Sequence, residues 1–338
     1  MSTRSATPQT SATSRRLIAV ALLVPLLAAL ALWAFAWPAA RTAPRDLPLG
    51  VAGPAAATAQ VEQQLGRHEG AFDIHRYADE AAAREAIEDR TVYGAVVVTP
   101  QGPELLTASA ASPAVAQLLQ QAVAQQAADE GTQVKTVDVV PAPESDPRGA
   151  GLTSSVLPLA LAGMAAGAAV TLLGLRGVRA VGALVGVATL IGLVAASIAH
   201  SWLGVLTGDW WAEAGVFALT TLAVSGAVAG LAALVGTAGI GITAATIMLI
   251  GNPFSGAASA PQMLPEPVGA IGQWLPPGAG TTLLRSVSFF DGSAAIGPAL
   301  TLTWWAALGL GAVLLGSALK TRAASTEQAP ERELATIG

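Results

Sequence analysis

The sequence predicts an α-helical integral membrane protein with six transmembrane helices and an extracytoplasmic α/β domain inserted between helices 1 and 2. The first observation is composition. Only 12% of the 338 residues are charged and 53% are hydrophobic, at a mean hydropathy of +0.56, roughly half the charge content of about 25% in ordinary soluble domains. The second is a set of apolar runs close to the ~20 residues a helix needs to cross a hydrocarbon core about 30 Å thick. The third is a stretch between the first two runs in which β-branched segments alternate with short, capped helical patterns.

Residues 17–37 form the first run. Arg15 and Arg16 precede it, and Trp33 and Trp37 close it, matching a basic cytoplasmic flank and an interfacial aromatic belt. Small residues in AFA and PAA would suit a signal peptidase, but the run exceeds the about 7–15 residues of a signal-peptide core, so it reads as an anchor. The other runs lie at 152–174, 180–199, 214–235, 240–258 and 297–319. Arg176 and Arg179 sit between the second and third runs, Lys320 and Arg322 follow the last, and Arg4 lies near the start. The positive-inside rule puts these basic segments in the cytoplasm. The expectation is a multi-pass inner-membrane protein with both tails, 1–16 and 320–338, cytoplasmic. Segments 38–150, 200–213 and 259–296 then lie outside, with Arg285 as an external exception.

Within 38–150, LPLGVAG (47–53) reads as a strand and Ala55 to His68 as a helix started by Pro54. FDIHRYA (72–78) alternates as a strand does, and Asp79 caps the helix DEAAAREAIEDR. VYGAVVVTP (92–100) is a buried strand and ELLTASA a further one. Ser112 and Pro113 start a helix to Glu130, VKTVDVV (134–140) is the last strand, and PAPESDPRGAG is a hinge. The order βαβαββαβ implies helices packed on a small sheet. This stretch holds 8 Lys+Arg against 15 Asp+Glu, a net of −7, which disfavours nucleic acid as a partner. There is no cysteine, and His68, His75 and His200 are the only histidines, so no metal and no cofactor is expected.

Gly163 and Gly167, Gly182 and Gly186, and Gly226 and Gly230 each form G-x-x-x-G inside a run, a spacing that lets helix backbones approach closely. Ordinary packing within the chain and a homodimer face both fit it. No Asp, Glu, Lys or Arg falls in the core of a predicted span. That disfavours an ion channel or a proton- or sodium-driven carrier and favours an apolar or amphipathic cargo, or none. Trp202, Trp210 and Trp211 read as interface anchors, and His200, Asp209 and Glu213 as solvated loop groups. Segment 259–296 is half apolar and broken by Pro261, Pro265, Pro267, Pro276 and Pro277. It reads either as a re-entrant hairpin covered by protein or as an external loop lying on the interface through Trp274, Phe289 and Phe290. Arg285 and Asp291 there pair with each other or with headgroups, or face solvent. No G-x-S-x-G, H-E-x-x-H or P-loop is present, so no enzyme is expected.

Two stretches carry a family likeness. One is AREAIEDRTVYGAVVVTPQGPELLTASAASPAVAQLL (83–119). The other is 250–292, with Asn252, Pro253, Ser255, Gly256, Met263, Leu264, Pro265, Pro276, Pro277, Arg285, Phe290, Asp291 and Gly292. With the order of spans, they resemble the ABC-2 type membrane protein superfamily, closest to its phage-infection-protein (YhgE/Pip) branch. The resemblance implies an exporter-like permease fold in the lipid bilayer, a homodimer, outward movement of lipidic or amphipathic cargo, and a separate ATPase subunit in ABC-driven members. Such permeases carry an N-terminal amphipathic helix and a cytoplasmic coupling element between the second and third spans. Here a Ser/Thr-rich start and LRGVR stand in those places, leaving little surface for an ATPase. Two functions follow: a permease-like exporter or envelope protein, or a membrane-anchored interaction protein whose external domain binds an envelope component.

Overall fold

Residues with no charge and few breakers form long helices, and in the computed structural model, which describes residues 10–67, 69–131 and 133–335, five are long and apolar enough to cross a membrane. They are α1 (Thr10–Ala40), α5 (Ala150–Leu172), α6 (Gly177–Ala196, continued by a π-helical turn, Ser197–Trp202), α7 (Trp210–Val235) and α11 (Ile296–Ala335, apolar through Arg322). Residues 1–9 and 336–338 of the expected tails, and His68, lie outside the described residues.

The run expected to span at 240–258 behaves differently. It forms α8 (Ala238–Thr246) and a π turn (Ile247–Gly251), a shorter apolar helix over Ala238–Gly251. At 1.5 Å per residue this reaches only about 21 Å, short of the ~30 Å hydrocarbon core.

Helix α7 is the central post, with α5, α6, α8 and α11 packed around it. Of its most apolar stretch 56% is buried, against 28% for α5, 22% for α6, 28% for α11 and 6% for α1. Small residues make the contacts close. A Cβ on Gly163 or Gly167 of α5 would strike Val224 or Ser225 and Val228 of α7. Gly226 and Gly230 of α7 face Gly309 of α11, where an added Cβ would lie 2.3 Å from the Gly226 carbonyl carbon. Gly182 and Gly186 make no close approach within the chain. Both are exposed, with nothing within 4 Å of an added Cβ, because the buried face of α6 runs through Ala180, Leu184, Ala188 and Gly192 instead. Gly192 makes the close approach, to Ala214 and Ala218.

Between α1 and α5 the elements are β1 (Leu47–Ala52), α2 (Ala55–Leu65), β2 (Phe72–Tyr77), α3 (Glu80–Glu88), β3 (Gly94–Thr99), β4 (Gly102–Thr107), α4 (Pro113–Glu130) and β5 (Lys135–Asp138). One mixed sheet results, in the order β2-β1-β3-β4-β5. β1 runs parallel to β2 and β3, β4 is antiparallel to β3, and β5 is parallel to β4. Helical crossovers return parallel neighbours, whereas the two-residue link through Pro100 and Gln101 permits only an antiparallel one. The Asp79 carboxylate accepts from Ala82 N, and Ser112 Oγ accepts from Val115 N ahead of Pro113 at the first turn. Each meets a donor the helix start leaves unpaired. Alternation along the strands divides the core in two. Ala52, Ile87, Val97 and Leu106 pack on one face, and Leu47, Leu49, Leu105 and Leu119 on the other.

Gly309→Val should cost about 1–3 kcal/mol of stability or more by overpacking, read as a lowered thermal midpoint in mild detergent. Gly186→Ala should leave that midpoint unchanged or raise it, since it only replaces a poor helix former.

Candidate functional site where the sheet domain meets the bundle

The chain after α8 folds as a broken hairpin. It contains a 3₁₀ turn (Pro261–Met263), α9 (Val268–Gln273) and α10 (Pro276–Phe289). Prolines stand where the backbone N–H would lack a helical partner in any case: Pro261 opens the 3₁₀ turn, and Pro276 and Pro277 open α10. Asn252 and Pro253 form the turn out of α8, where the Asn252 carbonyl accepts from Ser255 Oγ at 2.8 Å. Pro265 is buried. Pro277 packs on Gly251, and Gly272 lies so close to Phe254 that a Cβ would overlap its carbonyl oxygen. Helix α10 is buried along most of its length against α5, α7 and α11.

Arg285 of α10 departs from expectation. It is neither solvated nor paired with Asp291. It is 5% exposed, and its Nη2 donates to the Ala257 carbonyl at 2.5 Å. Asp291 is exposed at the following turn with φ +49°. Helical periodicity explains the separation, because Arg285 shares the inward face of α10 with Thr281, Leu284 and Ser288 while Asp291 lies beyond the helix end.

The sheet domain is joined to this hairpin by side chains from both directions. Phe290 enters the core face of Ile87 and Leu106, and Ala260 and Met263 enter the face of Leu47 and Leu105. Backbone N–H groups of Ala43 and Arg45 donate to the carbonyls of Met263 and Gln262 at 3.0 and 2.9 Å. Tyr93 Oη donates to Gln262 Oε1 at 2.9 Å. Arg90 donates to the Thr282 carbonyl at 3.0 Å and to Ser286 Oγ, with its guanidinium 5.2 Å from the centre of the Phe290 ring. Burial lowers the Arg90 pKa and raises that of Tyr93, and each group's charge opposes the other's shift. Arg90 also closes α3. Its N–H donates to the Ile87 carbonyl and that of Thr91 to Ala86, with Arg90 at φ +61°, a left-handed position that glycine usually fills. An arginine there was a readable signal, but nothing in the sequence names its distant partners.

Glu213 and His200 also depart from their expected place as solvated loop groups. Glu213 is fully buried in the first turn of α7. Its Oε1 accepts from Gly208 N at 2.9 Å, and its Oε2 lies 2.9 Å from His200 Nδ1. The π turn carries α6 past the expected end at 199 and swings His200 over the start of α7. Asp209 caps α7 through Ala212 N at 2.8 Å. Trp202, Trp211 and Trp274 are largely exposed.

Helices α5 and α6 both lean on α7 but touch each other little. A cleft of about 510 Å³ separates them toward the sheet-domain end, with Phe217 among its lining residues. Ser154, Pro158 and Ala162 line one wall, and Leu190, Val194 and Ile198 the other. Among the described residues no group of His, Asp or Glu could hold a metal ion.

Spans, inserted sheet domain and apolar cleft together define a multi-pass membrane protein. Residues 15–175, which take in nearly all of α1, the whole sheet domain and α5, match the family described as ABC-2 family transporter protein, and this supports the ABC-2 superfamily likeness of the chain. No curated protein and no solved structure matches it.

Arg90→Gly should retain the α3 terminus yet lose the contacts to α10. The expected result is faster amide hydrogen exchange over 282–290, with about 1.5–3 kcal/mol of local protection lost for a charged donor. His200→Ala should lower the thermal midpoint by leaving the buried Glu213 carboxylate with the Gly208 N–H as its remaining observed partner, a cost of about 1–3 kcal/mol.

Proposed function

We propose that this chain is the membrane-spanning, permease-like component of an ABC-2-type exporter that moves a lipidic or amphipathic cargo or serves envelope processes. In this reading it catalyses no reaction itself. It lies in the inner membrane with both termini cytoplasmic and the α/β domain outside. Helix α8 and the broken hairpin together make the remaining passage, so that six crossings return the chain to the cytoplasm, with the irregular backbone covered by protein as an apolar setting requires.

The observation that carries the reading is the shared core. Phe290, Ala260 and Met263 belong to the two cores of the sheet domain, while α10 is buried against α7 and α11. A domain that merely hung from an anchor would need neither. Joined in this way, displacement of the domain displaces α10 inside the bundle, the coupling a cargo gate needs. The family match over 15–175 supports a transporter component, and an ABC-driven exporter would draw its energy from a separate ATPase subunit. Only residues 173–176 connect α5 and α6, so among the described residues the helical extension of α11 to Ala335 and the start of α1 at Thr10 are the larger surfaces for an ATPase to grip. The open face of α6 at Gly182 and Gly186, and the largely uncovered α1, are the surfaces available to a second copy.

Affinity purification of the tagged chain in mild detergent tests this. A stoichiometric cytoplasmic ATPase is the expected companion. Recovery alone, or with envelope proteins only, would overturn the exporter reading in favour of an anchored interaction protein whose α/β domain binds an envelope component.

A further inference from the structure

We infer that the cleft between α5 and α6 holds one acyl chain of a membrane lipid, taken from the leaflet nearest the sheet domain. The inference deepens the export reading by naming what the cargo presents, and for that step it rests on it.

Position argues for the occupant. Both walls are membrane-crossing helices, so in a bilayer the open side of the cleft faces hydrocarbon and the molecules able to enter sideways are lipids. Depth argues for a single leaflet. From Gly151 to Ala162, both lining residues, α5 rises about 16 Å, close to half of a ~30 Å hydrocarbon core. The volume of about 510 Å³ lies within the roughly 300–1,000 Å³ of small-ligand sites.

The backbone argues that the cleft is built rather than left over. Pro158 lies inside α5 and has no N–H, so the Ser154 carbonyl loses its helical donor. Ser154 and Pro158 both line the cleft, and one released acceptor therefore sits near the end closest to the sheet domain. On the facing wall, Ile198 and Ala199 belong to the π-helical turn that ends α6, a widening often found at functional sites. Ser155 Oγ is bonded to the Leu152 carbonyl within its own helix, and deeper in the cleft the lining passes to Pro158 and Ala162 on one wall and Leu190 and Val194 on the other, all apolar. The lining thus has an acceptor at one end and hydrocarbon below, the polarity of a lipid whose donor-bearing linkage or headgroup stays at the rim while its chain descends.

The test uses the purified full-length chain in phosphatidylethanolamine–phosphatidylglycerol vesicles doped with a phospholipid bearing a diazirine on one acyl chain. After photolysis the labelled residues are mapped by mass spectrometry. Expected is about tenfold more label on 154–162 and 190–199 than on the exposed Leu308 and Leu315 of α11, the enrichment a preference of ~1.4 kcal/mol produces. Ala162→Phe and Leu190→Trp, each filling the cleft from one wall, should remove the enrichment and leave α11 labelling unchanged. Equal label on all three helices, or enrichment that survives in both variants, would overturn the inference. No ATPase or nucleotide is present, so the outcome is independent of whether an ATPase co-purifies.

Discussion

A carbonyl released from regular structure inside an apolar bundle must find a donor, and much of this molecule is arranged around that requirement. Between Gly251 and Val268 the chain leaves α-helical geometry while packed against other helices. Arg285 reaches back from α10 to the Ala257 carbonyl, Gln273 Nε2 donates to the Ser255 carbonyl at 3.0 Å, and Thr153 Oγ1 of α5 donates to the Ala257 carbonyl at 3.0 Å. With these bonds in place the broken segment tolerates burial that an unpaired backbone could not. Because the segment is held, Ala260, Met263 and Phe290 stand at fixed positions, and the sheet domain has something to pack upon.

The sheet domain was largely legible. A β-branched run at 94–99, an aspartate before a helix at Asp79 and the Ser112–Pro113 start are local signals whose physics acts within a few residues. The order of elements follows from them. The bundle was legible in five of its six expected spans, but not in the short helix at 240–258 nor in its contacts. Gly182 and Gly186 have the same spacing as Gly226 and Gly230, yet one pair looks outward and the other meets α11. Spacing records that a close approach is permitted, and only the partner helix decides whether it happens. Gly309 and Gly316 supply that partner surface, and α11 carries G-x-G rather than G-x-x-x-G at Gly309.

Charged residues misled for a related reason. Glu213, His200 and Arg285 lie at or near helix ends, where sequence reasoning assigns water. A π turn carries His200 to Glu213, and the hairpin encloses Arg285. Glu213 and Arg285 are buried and His200 is half-buried, and each has a specific hydrogen bond, as burial of a charge demands. The cleft was illegible because it is a difference in lean between two helices that are equally apolar. Its only written trace is Pro158.

The sheet domain's cores are completed from far along the chain, and this shapes its biogenesis. Strand β5 leaves the ribosome well before Phe290, by roughly ten to thirty seconds at ordinary synthesis rates. Through that interval both faces of the sheet lack residues that later cover them. Final consolidation of the domain must therefore await correct placement of α7, α8 and α10. A chain misinserted in its second half would betray itself far away in sequence, as an unfinished sheet domain open to chaperones and proteases.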